Sequence, residues 1–320
     1  MLYFDLAIYK EDLLKEKEKI LPKFLKNIIY NFRKLTGQAL KLNIANKELI
    51  ILPKINKRIL KKVDKILKVD VTKNACISEE LRAKEDFTRF LNERNINILD
   101  GRWLFKYITT DVVDFLYSQL GIRPETQEIS ILTNEMNSLI YETIKKLSEK
   151  VKNINILTKN TNLFIKLEEA VYEESGMLLR VTNDFKKSAL KSNIILNFNF
   201  VQELLDKINF SKNSMIVNFE NALKVNQKSF NGKIINFYHI NLPKKYLNNQ
   251  ERFSRFDTTI LYESYVYKKT VPKNIWKEIE LDKIKIDTLE GIKGTIRFPK
   301  IINYSEQQPS KNLKLRSSGS

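Results

Sequence analysis

Five polar residues in one segment have the types and spacing to bind a dinucleotide. The segment ISILTNEMNSLIYETIKKLSEKVKNINILTKN, residues 129–160, predicts a strand, a turn, a helix and a second strand. In such a unit, phosphate groups bind at the start of the helix and the ribose binds beyond the second strand. The candidate cofactor-binding residues are Thr133, Asn134, Asn137, Ser138 and Lys159.

The turn before the predicted helix contains no glycine. The three glycines of a phosphate-binding turn would fall at Thr133, Glu135 and Ser138. Glu135 would place a negative charge beside the pyrophosphate, and unit charges about 4 Å apart interact by about 4 kcal/mol at an effective dielectric of 20. The same residues also suit a helix start without a ligand, with Asn134 as N-cap and Glu135 in the first turn. We favour this second interpretation.

The second strand is followed by a lysine where NAD-binding domains place an acid. Thr158, Lys159 and Asn160 follow the strand, and no Asp or Glu is near to hold a ribose hydroxyl. If a dinucleotide binds, Lys159 favours the 2′-phosphate of NADP. Otherwise Lys159 is a solvated loop lysine, which we consider the better explanation. We therefore expect no cofactor, and NADP if there is one.

Few other residues are candidates for catalysis. His239 and Cys76 are the single histidine and cysteine, and both lie in predicted strands where they are expected to pack. One of each excludes the common zinc sites. The sequence also has no G-x-x-x-x-G-K-[ST] loop and no G-x-S-x-G turn. We predict no catalytic residues and no metal site.

Two further segments admit both a functional and a structural interpretation. In Asp100–Trp103 (DGRW), Arg102 and Trp103 either contact an anion or partner at a cleft or complete a packed turn, which we slightly favour. In residues 251–269, arginines alternate with aromatic residues. That arrangement can bind single-stranded nucleic acid, but at helical spacing the aromatic residues are more often core.

The order of predicted elements indicates a two-domain α/β fold. The second domain is predicted to be a doubly wound, mostly parallel Rossmann-like sheet, because short apolar runs alternate with helices. We predict an N-terminal α/β domain over 1–122, the Rossmann-like domain over 127–240, a helical extension with a short strand or hairpin over 241–304, and a disordered tail over 305–320. Near the N-terminus, the spacing over residues 10–35 predicts a helix that Pro22 divides or kinks. After the turn at Asp100–Gly101 the spacing predicts one helix, which Gly121 is expected to end.

The second domain resembles a known group of nucleotide-binding domains. The runs ISILTNEMNSLIYETI, INILTKNTNLFIKLEE and ALKSNIILNFNF are similar, over about residues 127–220, to the shikimate dehydrogenase and glutamyl-tRNA reductase type. The resemblance implies a Rossmann-type NAD(P)-binding domain with a degenerate phosphate turn. The catalytic residues of that group do not carry over. The Lys and Asp motif of shikimate dehydrogenase has no counterpart, and Cys76 lacks the surroundings of the reductase's nucleophile.

The amino-acid composition limits which binding partners and which cellular compartment are expected. The formal net charge of +18 could attract nucleic acid or anionic lipid, but the lysines are spread along the chain, and we favour composition bias. No run of about 18 apolar residues predicts a membrane-spanning helix. The start of the sequence does not resemble a signal peptide, and a single cysteine fits a reducing compartment. We expect a cytoplasmic protein without membrane insertion.

Three hypotheses about function follow from the sequence. The first is a non-catalytic protein whose degenerate Rossmann-like domain acts in protein interaction or regulation, with a partner the sequence does not identify. The alternative is an NADP-linked oxidoreductase with a non-standard phosphate loop. The second alternative is a nucleic-acid-binding protein driven by the positive charge.

Overall fold

The chain folds into an α/β protein, and its described residues form three β-sheets. The computed structural model describes residues 1–44, 47–69, 73–186, 192–220, 223–226, 230–241, 251–270 and 285–298. Two of the sheets are mainly or wholly parallel, and helices flank them. No described helix has the length and apolar character needed to cross a membrane.

The first sheet has five strands and an apolar core on each face. The strands are β1 (Leu2–Leu6), β2 (Leu40–Ile44), β3 (Lys47–Leu52), β4 (Asn74–Ile77) and β5 (Asn97–Ile98). Their spatial order is β2-β3-β1-β4-β5, and only β2 runs antiparallel to its neighbour. Successive side chains of a strand point to opposite faces. Phe4 therefore lies in one core and Tyr3 in the other.

Four helices belong to the first part of the chain. They are α1 (Lys23–Thr36), α2 (Lys57–Val69), α3 (Glu79–Arg82) and α4 (Glu85–Asn92). The last three cover the face of the sheet that carries Phe4, through residues such as Val63, Leu81 and Phe87. This face is thus closed by helices that are local in sequence.

The helix predicted over residues 10–35 is wrong in its first half. Residues Lys10–Leu13 and Glu16–Glu18 form 3₁₀ turns, and α1 begins only after Pro22. Proline lacks an amide donor and clashes with the preceding turn, so it suits the start of a helix. The 3₁₀ segment instead folds back on α1, where Arg33 donates to both oxygens of Glu18 at 2.7 and 2.8 Å.

Two consecutive helices, α5 (Arg102–Tyr107) and α6 (Thr109–Leu120), lead from the first sheet to the second. They meet at Ile108, whose φ of −93° and ψ of 23° interrupt a helix that the sequence predicts as continuous. Gly121 ends α6 in the left-handed conformation with φ at 63°, which confirms the predicted helix stop.

The second sheet is a doubly wound, parallel Rossmann-type sheet. Its strands are β6 (Glu128–Leu132), β7 (Asn153–Leu157), β8 (Arg180–Thr182), β9 (Ile194–Asn197), β10 (Met215–Asn218) and β11 (Lys233–Ile235). Their order is β11-β10-β9-β6-β7-β8, so the chain moves outward from β6 to one edge and then returns to build the other. This is the 3-2-1-4-5-6 order typical of dinucleotide-binding sheets. Three helices accompany it: α7 (Ser138–Ser148), α8 (Ile165–Ser175) and α9 (Gln202–Leu205).

The last part of the chain contributes a small sheet and a helix. The remaining strands are β12 (Phe237–Asn241), β13 (Lys285–Gly291) and β14 (Gly294–Thr295), all antiparallel, with helix α10 (Thr258–Thr270) between β12 and β13. Residues 253–261 pack on the face of the first sheet that carries Tyr3. Ser264 bonds the Tyr3 hydroxyl at 2.7 Å. The predicted domain boundaries stay a prediction, and the tail over 305–320 lies outside the described residues.

Candidate functional site

At the carboxyl edge of the second sheet, three strands end in the same kind of turn. A threonine at or just after the strand end accepts, through Oγ1, a hydrogen bond from the backbone N–H two residues further on. The pairs are Thr133 with Glu135 (3.2 Å), Thr158 with Asn160 (3.1 Å) and Thr182 with Asp184 (3.0 Å). At each of these three strand ends, a threonine hydroxyl therefore occupies one of the backbone N–H groups of the turn.

The other half of the same edge is closed by asparagines. Asn197, at the end of β9, accepts from the N–H of Phe200 at 2.9 Å and donates to Asn218 Oδ1 at 3.0 Å. Asn218, at the end of β10, donates in turn to Asn236 Oδ1 at 2.8 Å. Buried amide side chains need such partners because an unpaired one costs free energy. Asn197 and Asn218 are therefore held by their neighbours, whereas Nδ2 of Asn236 is buried without a hydrogen-bond partner.

The turn that begins at Thr133 is tied to two neighbouring turns. The N–H of Asn134 donates to Asn199 Oδ1 at 2.9 Å, and the N–H of Lys159 donates to Asn134 Oδ1 at 2.9 Å. The Thr133 hydroxyl also donates to the carbonyl oxygen of Glu135 at 3.0 Å. The turn after β6 is therefore cross-linked to the turns after β7 and β9.

The helix start predicted at Asn134 is wrong. The N-cap of α7 is Asn137, which has an extended backbone and accepts from the N–H of Ile140 at 3.0 Å. Either asparagine can cap a helix, so composition alone does not choose between them. Glu135 is exposed, lies before the helix, and does not contribute to its first turn, which holds no acid.

The structure brings only part of the predicted cofactor site together. Thr133, Asn134 and Lys159 meet between the ends of β6 and β7, where Thr133 is buried, Asn134 half-buried and Lys159 exposed. Asn137 and Ser138 are exposed at the start of α7. These positions describe the geometry of the turn and do not test whether it binds a ligand.

A buried carboxylate that the sequence did not single out joins α10 to the start of α5. Glu263 has no exposed surface, and its two oxygens accept from the N–H groups of Gly101 at 2.7 Å and Leu104 at 3.0 Å. Burial raises the pKa of Glu263 to about 7, and the hydrogen bonds from Gly101 and Leu104 oppose that rise. Its charge therefore changes near neutral pH. The feature of the sequence that could have indicated this buried carboxylate is a single acid within the apolar run TTILYESYVY.

Gly101 is required at this junction by both conformation and space. Its φ is +90°, and a Cβ atom there would approach the Phe237 ring at 2.9 Å. Tyr238 donates from its buried hydroxyl to the carbonyl oxygen of Gly101 at 3.2 Å. The glycine therefore lets the chain pass closely between Phe237 and the carboxylate of Glu263.

The neighbouring residues of DGRW support its structural interpretation. Arg102 Nε lies 3.3 Å from Asp100 Oδ2. Trp103 stacks on Tyr107 with ring centroids 5.2 Å apart and meets the Tyr267 ring edge-on at 5.0 Å. This segment borders a cleft of about 240 Å³, which the ion pair between Lys106 and Glu220 at 2.9 Å also lines. The cleft is small for a ligand the size of a dinucleotide.

The other predicted residues occupy structural positions. Cys76 is buried in β4, as predicted, and burial raises the pKa of its thiol to about 12. His239 lies in β12, and its Nε2 is 3.0 Å from Glu290 Oε1. Among the described residues, no three His, Cys, Asp or Glu side chains are placed to hold a metal ion.

The two arginines of the segment 251–269 pair with the N-terminal part of the chain. Arg252 donates to Glu16 Oε1 at 2.8 Å and to the carbonyl oxygen of Leu14 at 3.0 Å. Arg255 lies 2.5 Å from Asp12 Oδ1 and 3.2 Å from Asp5 Oδ2. Their guanidinium groups are therefore engaged by carboxylates and carbonyl oxygens rather than held in a row facing solvent.

Comparison with known proteins gives similarity of fold at low identity. No family model matches the chain, and a search of curated proteins found no match. Among solved structures, the chain is similar to D-mandelate dehydrogenase from Rhodotorula graminis at 10% identity and a TM-score of 0.37, over 86% of this chain and 93% of that one. L-tryptophan dehydrogenase from Nostoc punctiforme is similar at 9% identity and a TM-score of 0.30, over 70% and 63%.

The similar structures are not confined to dehydrogenases. Aspartate transcarbamoylase from Trypanosoma cruzi is similar at 7% identity and a TM-score of 0.28, over 70% of this chain and 72% of that one. At such identities the similarity concerns the architecture, and function has to be argued from the site.

Proposed function

We propose that this chain is a non-catalytic protein with a Rossmann-like domain, and that it acts through interaction with another protein or in regulation. The observation that carries the proposal is the closure of the turn after β6. The N–H of Glu135 is bonded to Thr133 Oγ1, and the N–H of Asn134 is bonded to Asn199 Oδ1. In this proposal the fold is retained while the phosphate-binding turn is degenerate.

Phosphate binding at a helix start depends on unoccupied backbone N–H groups. A dinucleotide here would have to displace the bonds of Asn134 and Glu135, and each such bond contributes about 1 kcal/mol net. The N–H of Ile140 is also occupied, by Asn137 Oδ1. The exposed carboxylate of Glu135 adds repulsion of the ligand's charge. These costs together favour a protein without a bound dinucleotide.

An NADP-linked oxidoreductase with a non-standard phosphate loop is the second candidate. One observation favours it: Lys159 is exposed directly beyond β7, in a sheet whose strand order is typical of dinucleotide binding. In such sheets the residues after this strand contact the ribose and its 2′-phosphate. A lysine ammonium at this position would favour NADP over NAD.

Isothermal titration calorimetry of the full chain with NAD, NADH, NADP and NADPH separates the two candidates. The first predicts no stoichiometric binding in the micromolar range. Micromolar binding of NADP or NADPH, weakened by Lys159→Glu more than binding of NAD or NADH, would overturn it and support the second.

A pair of matched variants tests the role of the closed turn. Thr133→Gly/Glu135→Gly removes the hydroxyl and the charge at the predicted phosphate position. Thr182→Gly/Asp184→Gly makes the equivalent changes in the turn at the end of β8. If only the first variant gains dinucleotide binding, the closed turn after β6 is the reason that the parent protein does not bind. An equal gain in both variants would contradict this attribution.

A further inference from the structure

Helix α1 and the residues just before it expose a row of large apolar side chains. The exposed fractions are 87% for Ile20, 64% for Phe24, 55% for Ile28, 59% for Phe32 and 76% for Leu35. The spacings of four, four, four and three residues place those within α1 on one side of the helix. We call these five residues the α1 apolar row.

The opposite side of α1 holds the helix to the protein through polar contacts. Arg33 is buried and donates to Glu18 and to the carbonyl oxygen of Leu13. At the C-terminal end, Lys62 Nζ from α2 donates to the carbonyl oxygens of Thr36 at 2.8 Å and Gly37 at 3.1 Å. A surface helix ordinarily buries its apolar side. In α1 the apolar row faces outward, while Tyr30 packs at the core from another side of the helix, and the polar contacts of Arg33 and Lys62 oppose rotation of the row into the core.

The α1 apolar row is large for a surface that faces only water. An aromatic side chain can bury about 150–250 Å², and Phe24 and Phe32 each expose more than half of theirs. Contiguous apolar patches above a few hundred Å² usually mark an interaction site in a protein that is otherwise folded. We therefore expect another molecule to cover the α1 apolar row.

Positively charged side chains lie at both ends of the row. Lys23 and Lys34 are exposed at the two ends of α1, and the helix contains no acid. On α2, Arg58 and Lys65 are exposed one turn to either side of Lys62, the residue that contacts the end of α1. The nearest preceding acids along the chain are already paired, Glu16 with Arg252 and Glu18 with Arg33.

We propose that α1 docks the protein on an anionic lipid surface. The apolar row inserts at the boundary between headgroups and acyl chains, while Lys23, Lys34 and the cations of α2 contact lipid phosphates. A second copy of the chain is disfavoured because paired α1 helices would bring lysines together. A protein partner would need a groove shaped to side chains that protrude this far, whereas lipid accepts them without matching shape. This inference goes beyond the proposed function and does not depend on the turn at Thr133. It replaces the expectation of no membrane insertion with shallow docking at the membrane surface.

Co-sedimentation of the full chain with vesicles tests the proposal. The vesicles contain phosphatidylcholine alone, or phosphatidylcholine mixed with phosphatidylserine. We expect the parent protein to bind the mixed vesicles and to bind neutral ones more weakly. Phe24→Ser/Phe32→Ser should weaken binding roughly tenfold or more, since two buried aromatic side chains are lost. Lys23→Gln/Lys34→Gln should weaken binding to the mixed vesicles only, and added salt should have the same effect.

The matched control changes two other exposed apolar residues. Leu163→Ser/Leu178→Ser removes side chains that are 47% and 75% exposed and belong to the second domain. This variant should bind vesicles as the parent does, and thermal unfolding should show that all variants are folded. Absence of parent binding to mixed vesicles, or equal weakening by both serine pairs, overturns the proposal.

Light scattering and peptide titration test whether a molecule other than lipid covers the α1 apolar row. A parent dimer that becomes monomeric in Phe24→Ser/Phe32→Ser would show that a second copy covers the row. Micromolar binding of an acidic amphipathic helical peptide, lost in the same variant and without vesicle binding by the parent, would show that a protein helix covers it. Either result would replace the lipid surface as the occupant.

Discussion

The carboxylate of Glu263 accepts a 2.7 Å hydrogen bond from the backbone N–H of Gly101, 162 positions earlier in the chain. The same side chain accepts from Leu104, so it acts as the anchor of α5. Because α5 leads through α6 into the second sheet and α10 packs on the first, this one carboxylate connects elements on which both sheets depend.

The stability of the protein is expected to depend on the ionisation of Glu263. Its pKa is raised from an ordinary value of 4.5 to about 7, so between these pH values the folded chain keeps a proton that the unfolded chain has released. The contribution is fully present below pH 4.5 and is lost as the pH rises through about 7. Its size is of the order of 3 kcal/mol over that window. Urea unfolding at several pH values measures it.

Glu263→Gln should flatten this pH dependence. Because one backbone donor then faces an amide NH₂ group, the variant should also lose about 1–3 kcal/mol of unfolding free energy at low pH. Glu169→Gln, at an exposed position, is the control and should follow the parent. Equal slopes of unfolding free energy against pH in the parent and in Glu263→Gln would contradict the assignment.

Replacing Gly101 should cost more than replacing another glycine with similar backbone geometry. Gly101 and Gly176 both have positive φ, but only at Gly101 would a Cβ meet a ring, that of Phe237 at 2.9 Å. Gly176→Ala should therefore lose about 1–2 kcal/mol from backbone strain alone. Gly101→Ala should lose a further 1–3 kcal/mol, roughly, from overpacking. Chemical denaturation of both variants gives the difference, and equal losses would exclude the steric part.

The start of α7 can be located by mutation. Asn137→Ala should lower the unfolding free energy by about 1 kcal/mol, because the N–H of Ile140 loses its cap. Asn137→Asp keeps an accepting oxygen and should recover most of that loss. Thermal or urea unfolding measures both. A neutral Asn137→Ala would argue that the helix begins elsewhere, as the sequence alone had placed it.

Local patterns predicted much of the fold. The apolar runs of β6, β7 and β9 and the helices between them follow from strand length and helical spacing, and Gly121 ends α6 as expected. The start of α7 was missed because Asn134 and Asn137 have the same capping amide. Which of them bonds Ile140 depends on the neighbouring turns that hold Asn134.

The contacts that were not predicted join residues far apart in the chain. No spacing rule connects Glu263 with Gly101, and an acid on an apolar helix predicts a partner without naming it. Helical spacing predicted most of the α1 apolar row, but its outward direction is held by distant contacts such as the ion pair between Arg33 and Glu18. Such pairs form only when the fold brings their elements together. The sequence therefore identifies the helices and strands but does not determine which face of each one is buried.

The packing of Phe253 and Phe256 beside Tyr3 has a consequence for synthesis of the chain. The face of the first sheet that carries Tyr3 is covered by residues made after the whole second sheet. Until those residues are made, Leu13 and Tyr30 cover this apolar face only in part, although the second sheet has already been synthesised. The N-terminal half is consequently the last part to be completed, although it is the first to be made.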